Sequence, residues 1–349
     1  MAEHWFVLQG DFILDRPGYR GNMTEPASLP EPVSAPEPSG PTVPVTYDRA
    51  LSGIPGAWRG GVAIVLLVVG FLLLQIVIGG VGIVIEVARG ALTLDELASG
   101  VVPITPGVLL STNISLALLI PLAMGLQRWL FGAKVGTLAS VAGRFRWKWM
   151  GRLALVIVPV WVVYLGLGFL LDPGADVQVD GAALALIAIV ILTTPLQAAG
   201  EEFGARGLIQ RSVGSWFRNP VAAFVVSTLI ASSFFALAHL AGDPWLIAYY
   251  FVFGASMSIA ARGTGGLEAP VLMHATNNVL IFLPAVLLGQ LDQGIDRSAG
   301  TGGPFMLVPM ALCLAAAGIS TLWARRNRVQ VTAPALEQRR PAPVVAPQA

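Results

Sequence analysis

Ala182-Ala-Leu-Ala-Leu-Ile-Ala-Ile-Val-Ile-Leu-Thr-Thr-Pro-Leu-Gln-Ala-Ala-Gly200 runs without a charge straight into Glu201-Glu202-Phe-Gly-Ala-Arg206. About 20 apolar residues rising 1.5 Å each cover the roughly 30 Å of bilayer hydrocarbon, so this run reads as a membrane helix. Comparable windows lie near 61–85, 107–126, 153–171, 221–241, 245–261, 267–289 and 304–323, which makes eight spans with this one. The composition agrees. Hydrophobic residues are 55%, charged residues 12%, and the mean hydropathy is +0.73, where a soluble domain carries roughly a quarter charged residues. The expected fold class is all-α, a polytopic membrane helix bundle, and the bilayer is its first partner.

Charge gives the orientation. The formal net charge of +1 points to neither nucleic acid nor an acidic partner. Arg59, then Arg128, Lys134, Arg144, Arg146, Lys148 and Arg152, then Arg211 and Arg218, then Arg262, then Arg325, Arg326 and Arg328 fall on alternate connections. The connections between carry Asp95 and Glu96, then Asp172, Asp176 and Asp180, then Asp243, then Asp292 and Asp296, with Arg89 and Arg297 as exceptions. Basic residues collect on the cytoplasmic side, so both termini are expected there, in a multi-pass protein of the inner or plasma membrane. Abundant Ala, Gly and Val with Arg preferred to Lys suggests a bacterial source. Residues 1–57 read as a disordered cytoplasmic tail, because Glu25 to Pro44 is Pro-rich, acidic and poor in large apolar side chains. Within it, Met23 offers a second start of translation. The membrane domain is expected over 58–324, with a further disordered cytoplasmic tail over 325–349. The lone Cys313 excludes an internal disulfide and a CxxC metal site.

Ionisable groups at membrane depth are costly and signal function. Positions i and i+4 share a helix face, which pairs Glu202 with Arg206, Phe235 with His239, and His274 with Asn278. The motifs converge only if the glutamate helix continues through Trp216 and reverses at Asn219-Pro220, a turn dipeptide. Glu201 then stands level with His239, in a cavity expected to open to the cytosol. Each group also has a plain structural reading: Glu202 and Arg206 as a pair ending a helix, His239 as an interhelical hydrogen bonder, and His274 with Asn277 and Asn278 as polar glue between helices. Glu268 reads as a boundary residue. Their co-occurrence favours chemistry. A glutamate beside a histidine can activate water, and a second histidine with an amide can hold an oxyanion. The same set suits a divalent metal such as zinc at Glu201, His239 and His274, whose bound water would attack.

Glu-Glu-xxx-Arg, Phe-xxx-His and His-xxx-Asn, in that order on consecutive spans, resemble the CAAX prenyl endopeptidase and bacteriocin-processing family, also called CPBP or Abi. The resemblance covers about 182–283. It implies an intramembrane endopeptidase of eight helices that acts on a protein or peptide substrate. Carried over by motif, Glu201 resembles the water-activating base assisted by His239, and His274 and Asn278 resemble the oxyanion side. Glu202, Arg206 and Phe235 resemble supporting residues. The family is described both as metallo-type and as metal-free glutamate-type. Other intramembrane proteases fit worse: no window contains the paired Asp of the aspartyl type, no HExxH is present, and Gly254-Ala-Ser256-Met257 lacks the closing glycine of a rhomboid site. A non-catalytic immunity or scaffold protein, or a proton-coupled transporter, are the competing classes. The transporter predicts broken helices in corresponding halves of the chain, and no such symmetry is visible.

Overall fold

The structure is a computed structural model that describes residues 43–100, 102–170, 177 and 179–337. Residues 1–42, which hold most of the expected N-terminal tail and Met23, lie outside the described residues. So do Asp172, Asp176 and 338–349. Eight helices are long and apolar enough to cross a membrane: α1 (Trp58–Ala88), α2 (Pro106–Phe131), α3 (Trp147–Leu170), α4 (Gly181–Gly214), α5 (Pro220–Ala238), α6 (Pro244–Thr264), α7 (Glu268–Leu287) and α8 (Pro304–Arg326). The protein is an all-α membrane bundle.

Helix starts follow from the local sequence. Thr105, Asp180, Asn219 and Asp243 each cap a helix by accepting backbone N–H groups, and three of the four precede a proline at the first helical position. A capping side chain satisfies donors that have no partner within the helix, and proline has no N–H to satisfy there. Gly132 and Gly265 end α2 and α6 in the left-handed conformation that glycine adopts freely.

α4 is the axis of the assembly. Its 34 residues extend about 50 Å, well beyond the hydrocarbon thickness. It packs on α2 and α7, α7 packs on α3, and α6 packs on α5 and α8. The contact with α2 is close because Gly200 has no side chain: a Cβ there would stand 1.9 Å from the Leu116 carbonyl oxygen. Large side chains such as Leu155, Leu192 and Leu237 stay exposed on the bundle's outer faces, which suits a lipid solvent.

The expected tail boundaries move. Val45–Thr46 pairs antiparallel with Thr332–Ala333 as a two-stranded sheet, and Tyr47–Gly53 forms a 3-10 helix with Tyr47 and Leu51 buried. The Tyr47 hydroxyl donates to the Leu138 carbonyl, the Arg211 guanidinium lies over its ring at 5.0 Å, and Asp48 pairs with Arg262 at 3.1 Å. Leu336 N–H donates to the Ala50 carbonyl at 2.7 Å. Residues 43–57 and 327–337 are therefore parts of the folded unit. Composition averaged over a Pro-rich segment hid the few apolar anchors, Tyr47, Leu51 and Ile54, that fix its end. Glu268 is also more than a boundary residue: it is fully buried and takes a two-pronged pair from Arg146, whose guanidinium also donates to the carbonyls of Thr264 and Gln330.

Gly200→Ala should lower stability by about 1–3 kcal/mol, because its methyl meets fixed backbone and forces α4 off α2. Gly61→Ala, where a Cβ meets nothing within 4 Å, should leave stability unchanged or slightly raised. Thermal unfolding in detergent checks the pair, and equal melting of the two variants would refute the close approach.

Candidate active site

The glutamate helix does continue. Gly181–Glu202 passes into a π-helical stretch over Phe203–Gln210 and a last turn at Arg211–Gly214. The chain then reverses at Asn219, whose side-chain oxygen accepts the N–H groups of Val221 and Ala222. The resulting hairpin brings Glu201, Phe235, His239, His274, Asn277 and Asn278 to the wall of one cavity of about 1040 Å³.

Glu202 lies in the sealed part. Its Oε1 receives Arg206 Nη1 at 3.1 Å and His274 Nδ1 at 2.8 Å, and all three side chains are 2% exposed or less. Arg206 also donates through Nη2 to the Gly254 carbonyl at 2.8 Å and lies 4.7 Å over the Phe235 ring. Phe235 meets His239 at 4.6 Å, His274 at 5.6 Å and Phe253 at 5.5 Å. A buried carboxylate is tolerable because an opposite charge and hydrogen bonds surround it, and these partners come from α4, α6 and α7, with α5 supplying the ring.

Glu201, one residue earlier, faces the cavity. Its side chain is 16% exposed. Oε1 accepts Gln197 Nε2 at 2.6 Å, while Oε2 has no hydrogen-bond partner among the described residues and lies 3.4 Å from His274 Nε2. The imidazole within ion-pair distance of Glu201 is thus that of His274, which bridges both glutamates. His239 caps the end of α5: its Nδ1 is 2.7 Å from the Phe235 carbonyl, and its ring stacks on Tyr250 at 3.9 Å. A carbonyl only accepts, so Nδ1 carries the hydrogen and Nε2 is the open nitrogen.

Sequence reasoning missed Gln197, Tyr250 and the Gly254 carbonyl. Gln197 links Glu201 to Asn278, whose Nδ2 donates to Gln197 Oε1 at 3.1 Å. The chain of amides continues as Asn277 Nδ2 donates to Asn278 Oδ1 at 3.2 Å, and Asn277 Oδ1 accepts Trp161 Nε1 at 3.3 Å. The signal for Gln197 was its place four residues before Glu201 in an uncharged run.

Three connections line the open end of the cavity, through Gly100, Val102 and Ile104, Leu240 and Gly242, and Ile295 to Ser298. They are stitched together by Ile104 N–H to the Leu291 carbonyl and Gly242 N–H to the Arg297 carbonyl. Asp243 fastens the last of them. Burial raises its carboxyl, but N–H donors from Gly300, Leu246, Gly302 and Trp245 outweigh that and hold it below the usual carboxylate range. No lining residue comes from the basic connections. The expectation of a cytosolic opening therefore conflicts with the charge-derived orientation, under which these connections face the opposite way.

Among the described residues no three His, Cys, Asp or Glu side chains group to hold a metal ion. Of the residues suggested as ligands, His274 Nε2 lies 3.4 Å from Glu201 Oε2 and its Nδ1 is taken by Glu202, while His239 has Nδ1 held by a carbonyl and Nε2 open.

Residues 183–280 match the family model described as type II CAAX prenyl endopeptidase, Rce1-like. All the motif residues named above fall inside that segment, and the match agrees with the resemblance of their spacing. The match covers less than a third of the chain. Over 104 residues the chain is 28% identical to a protein described as uncharacterized protein YyaK of Bacillus subtilis (strain 168), covering 28% of this chain and 33% of that one. The chain thus spans about a third of the length of this curated relative. No solved structure matches it.

Arg206→Ala would leave Glu202 buried without its cation and should cost about 3–5 kcal/mol. The readout is the yield and melting temperature of membrane-extracted protein, and wild-type values would refute the buried pair.

Proposed function

We propose that the chain is an intramembrane endopeptidase that hydrolyses a peptide bond with water activated by Glu201. One observation carries the reading: each of the two adjacent glutamates has an Oε2 without a hydrogen bond among the described residues, but Glu202 is buried with its Oε1 held by Arg206 and His274, while Glu201 alone stands on the cavity wall. A carboxylate held in an apolar enclosure, close to an imidazole, suits a general base. Glu201 Oε2 takes a proton from water, and the hydroxide attacks the substrate carbonyl carbon. His239, through its open Nε2, orients that water. The oxyanion is held by the Asn278 amide, which Gln197 fixes in place. The proton that Glu201 Oε2 took from water passes to the leaving nitrogen as the C–N bond breaks, with His274 Nε2 3.4 Å from that oxygen. The products are a carboxylic acid and an amine, and no covalent intermediate forms.

In this reading the partners are a peptide segment of a membrane-held or exported protein and the surrounding lipid. The protein sits in the plasma membrane with both termini on the cytoplasmic side, as its arginines suggest.

Glu201→Gln should cut turnover by about 10²–10⁴-fold without loss of membrane insertion, and His239→Ala should do the same. Comparative proteomics of membrane fractions from wild-type and Glu201→Gln cells should show uncleaved precursors accumulating in the variant. Unchanged cleavage in Glu201→Gln would overturn the proposal in favour of a non-catalytic scaffold.

A further inference from the structure

The two ends of the bundle are built differently. At the basic end the interior is plugged. Tyr47 and Leu51 are buried there beside Leu138, Leu208 and Val213, Arg211 is fully buried and donates to Gln127 at 2.6 Å, and Arg146 ties Glu268 to Gln330 of the C-terminal segment. Residues 45–51 and 330–333 therefore seal this end, joined by the Val45–Thr46 and Thr332–Ala333 pairing. At the other end α5 stops at His239, Leu240 turns in the left-handed region (φ 50) with its side chain 88% exposed, and the cavity runs out between the three connections described above. Arg297 reaches into this mouth, donating through Nε to the hydroxyl of Tyr250, the ring on which His239 stacks.

Basic residues remain on the cytoplasmic side because they are not readily translocated, and the basic residues cluster at the plugged end. The geometry points to substrate access from the non-cytoplasmic face of the membrane, through the mouth lined by Val102 and Ile104, Leu240 and Gly242, and residues 295–298. The occupant is then the outer juxtamembrane segment of an exported or membrane-held protein. The nature of the occupant rests on the proteolytic reading; the side of the mouth does not.

The test is cysteine labelling of the full chain with a membrane-impermeant maleimide. The native Cys313 is 1% exposed, so the wild type serves as background. Ser298→Cys places a thiol at the mouth and Lys148→Cys one at the plugged end, both at exposed positions. In intact cells Ser298→Cys should label to the level reached after permeabilisation, while Lys148→Cys should label only after it. Labelling of Ser298→Cys solely after permeabilisation, or of Lys148→Cys in intact cells, would overturn the inference. Repeating the labelling in the Glu201→Gln background separates the two claims: the pattern should persist there, and precursor accumulation reports independently on catalysis.

Discussion

A carboxylate in the middle of a membrane bundle must be paired, and the pairing of Glu202 with Arg206 and His274 constrains much of what surrounds it. Breaking such a pair exposes an uncompensated charge to low dielectric, a larger loss than the pair's own net gain. The partners sit on α4 and α7, the Arg206 guanidinium also needs the Gly254 carbonyl of α6, and its face needs the Phe235 ring of α5. One ion pair therefore sets the rotation of four helices about their axes. Packing between apolar helices alone is a weak determinant of rotation in lipid, where there is no hydrophobic drive to bury one face rather than another.

From that constraint the asymmetry of the two glutamates follows. Neighbouring positions on an α-helix point about 100° apart. Once Glu202 is turned into the lock, Glu201 is turned toward the cavity, with His274 standing between them. Gly200 completes the arrangement by letting α4 close on the α2 backbone at the same level. The π-helical stretch that begins at Phe203 then shifts the helix phase below the site. Such stretches are frequent at functional sites.

The features legible in the sequence were those written as local spacing. Uncharged runs gave the eight spans, Asn219-Pro220 gave the reversal, and four-residue intervals gave the contacts of Glu202 with Arg206 and Phe235 with His239. Contacts that depend on how helices are rotated against each other were not legible. The approach of His274 to Glu201, and the link that Gln197 makes from Glu201 to Asn278, are of this kind, because no one-dimensional interval encodes the meeting of α4 with α7. Tyr250 and Gly254 belong to a helix without a polar motif, so nothing flagged them. The tail boundaries were misjudged for a related reason: Tyr47 is anchored by residues 91 and 164 positions away, and composition carries no record of such pairings.

The division of labour between the two glutamates is tested most directly by melting purified Glu201→Gln and Glu202→Gln side by side in detergent. Glu201→Gln should unfold within experimental error of the wild type, because it leaves the lock intact. Glu202→Gln should unfold at a clearly lower temperature, since Arg206 and the Glu202-facing side of His274 lose their shared anion. Equal melting of the two, or a greater loss in Glu201→Gln, would contradict the account.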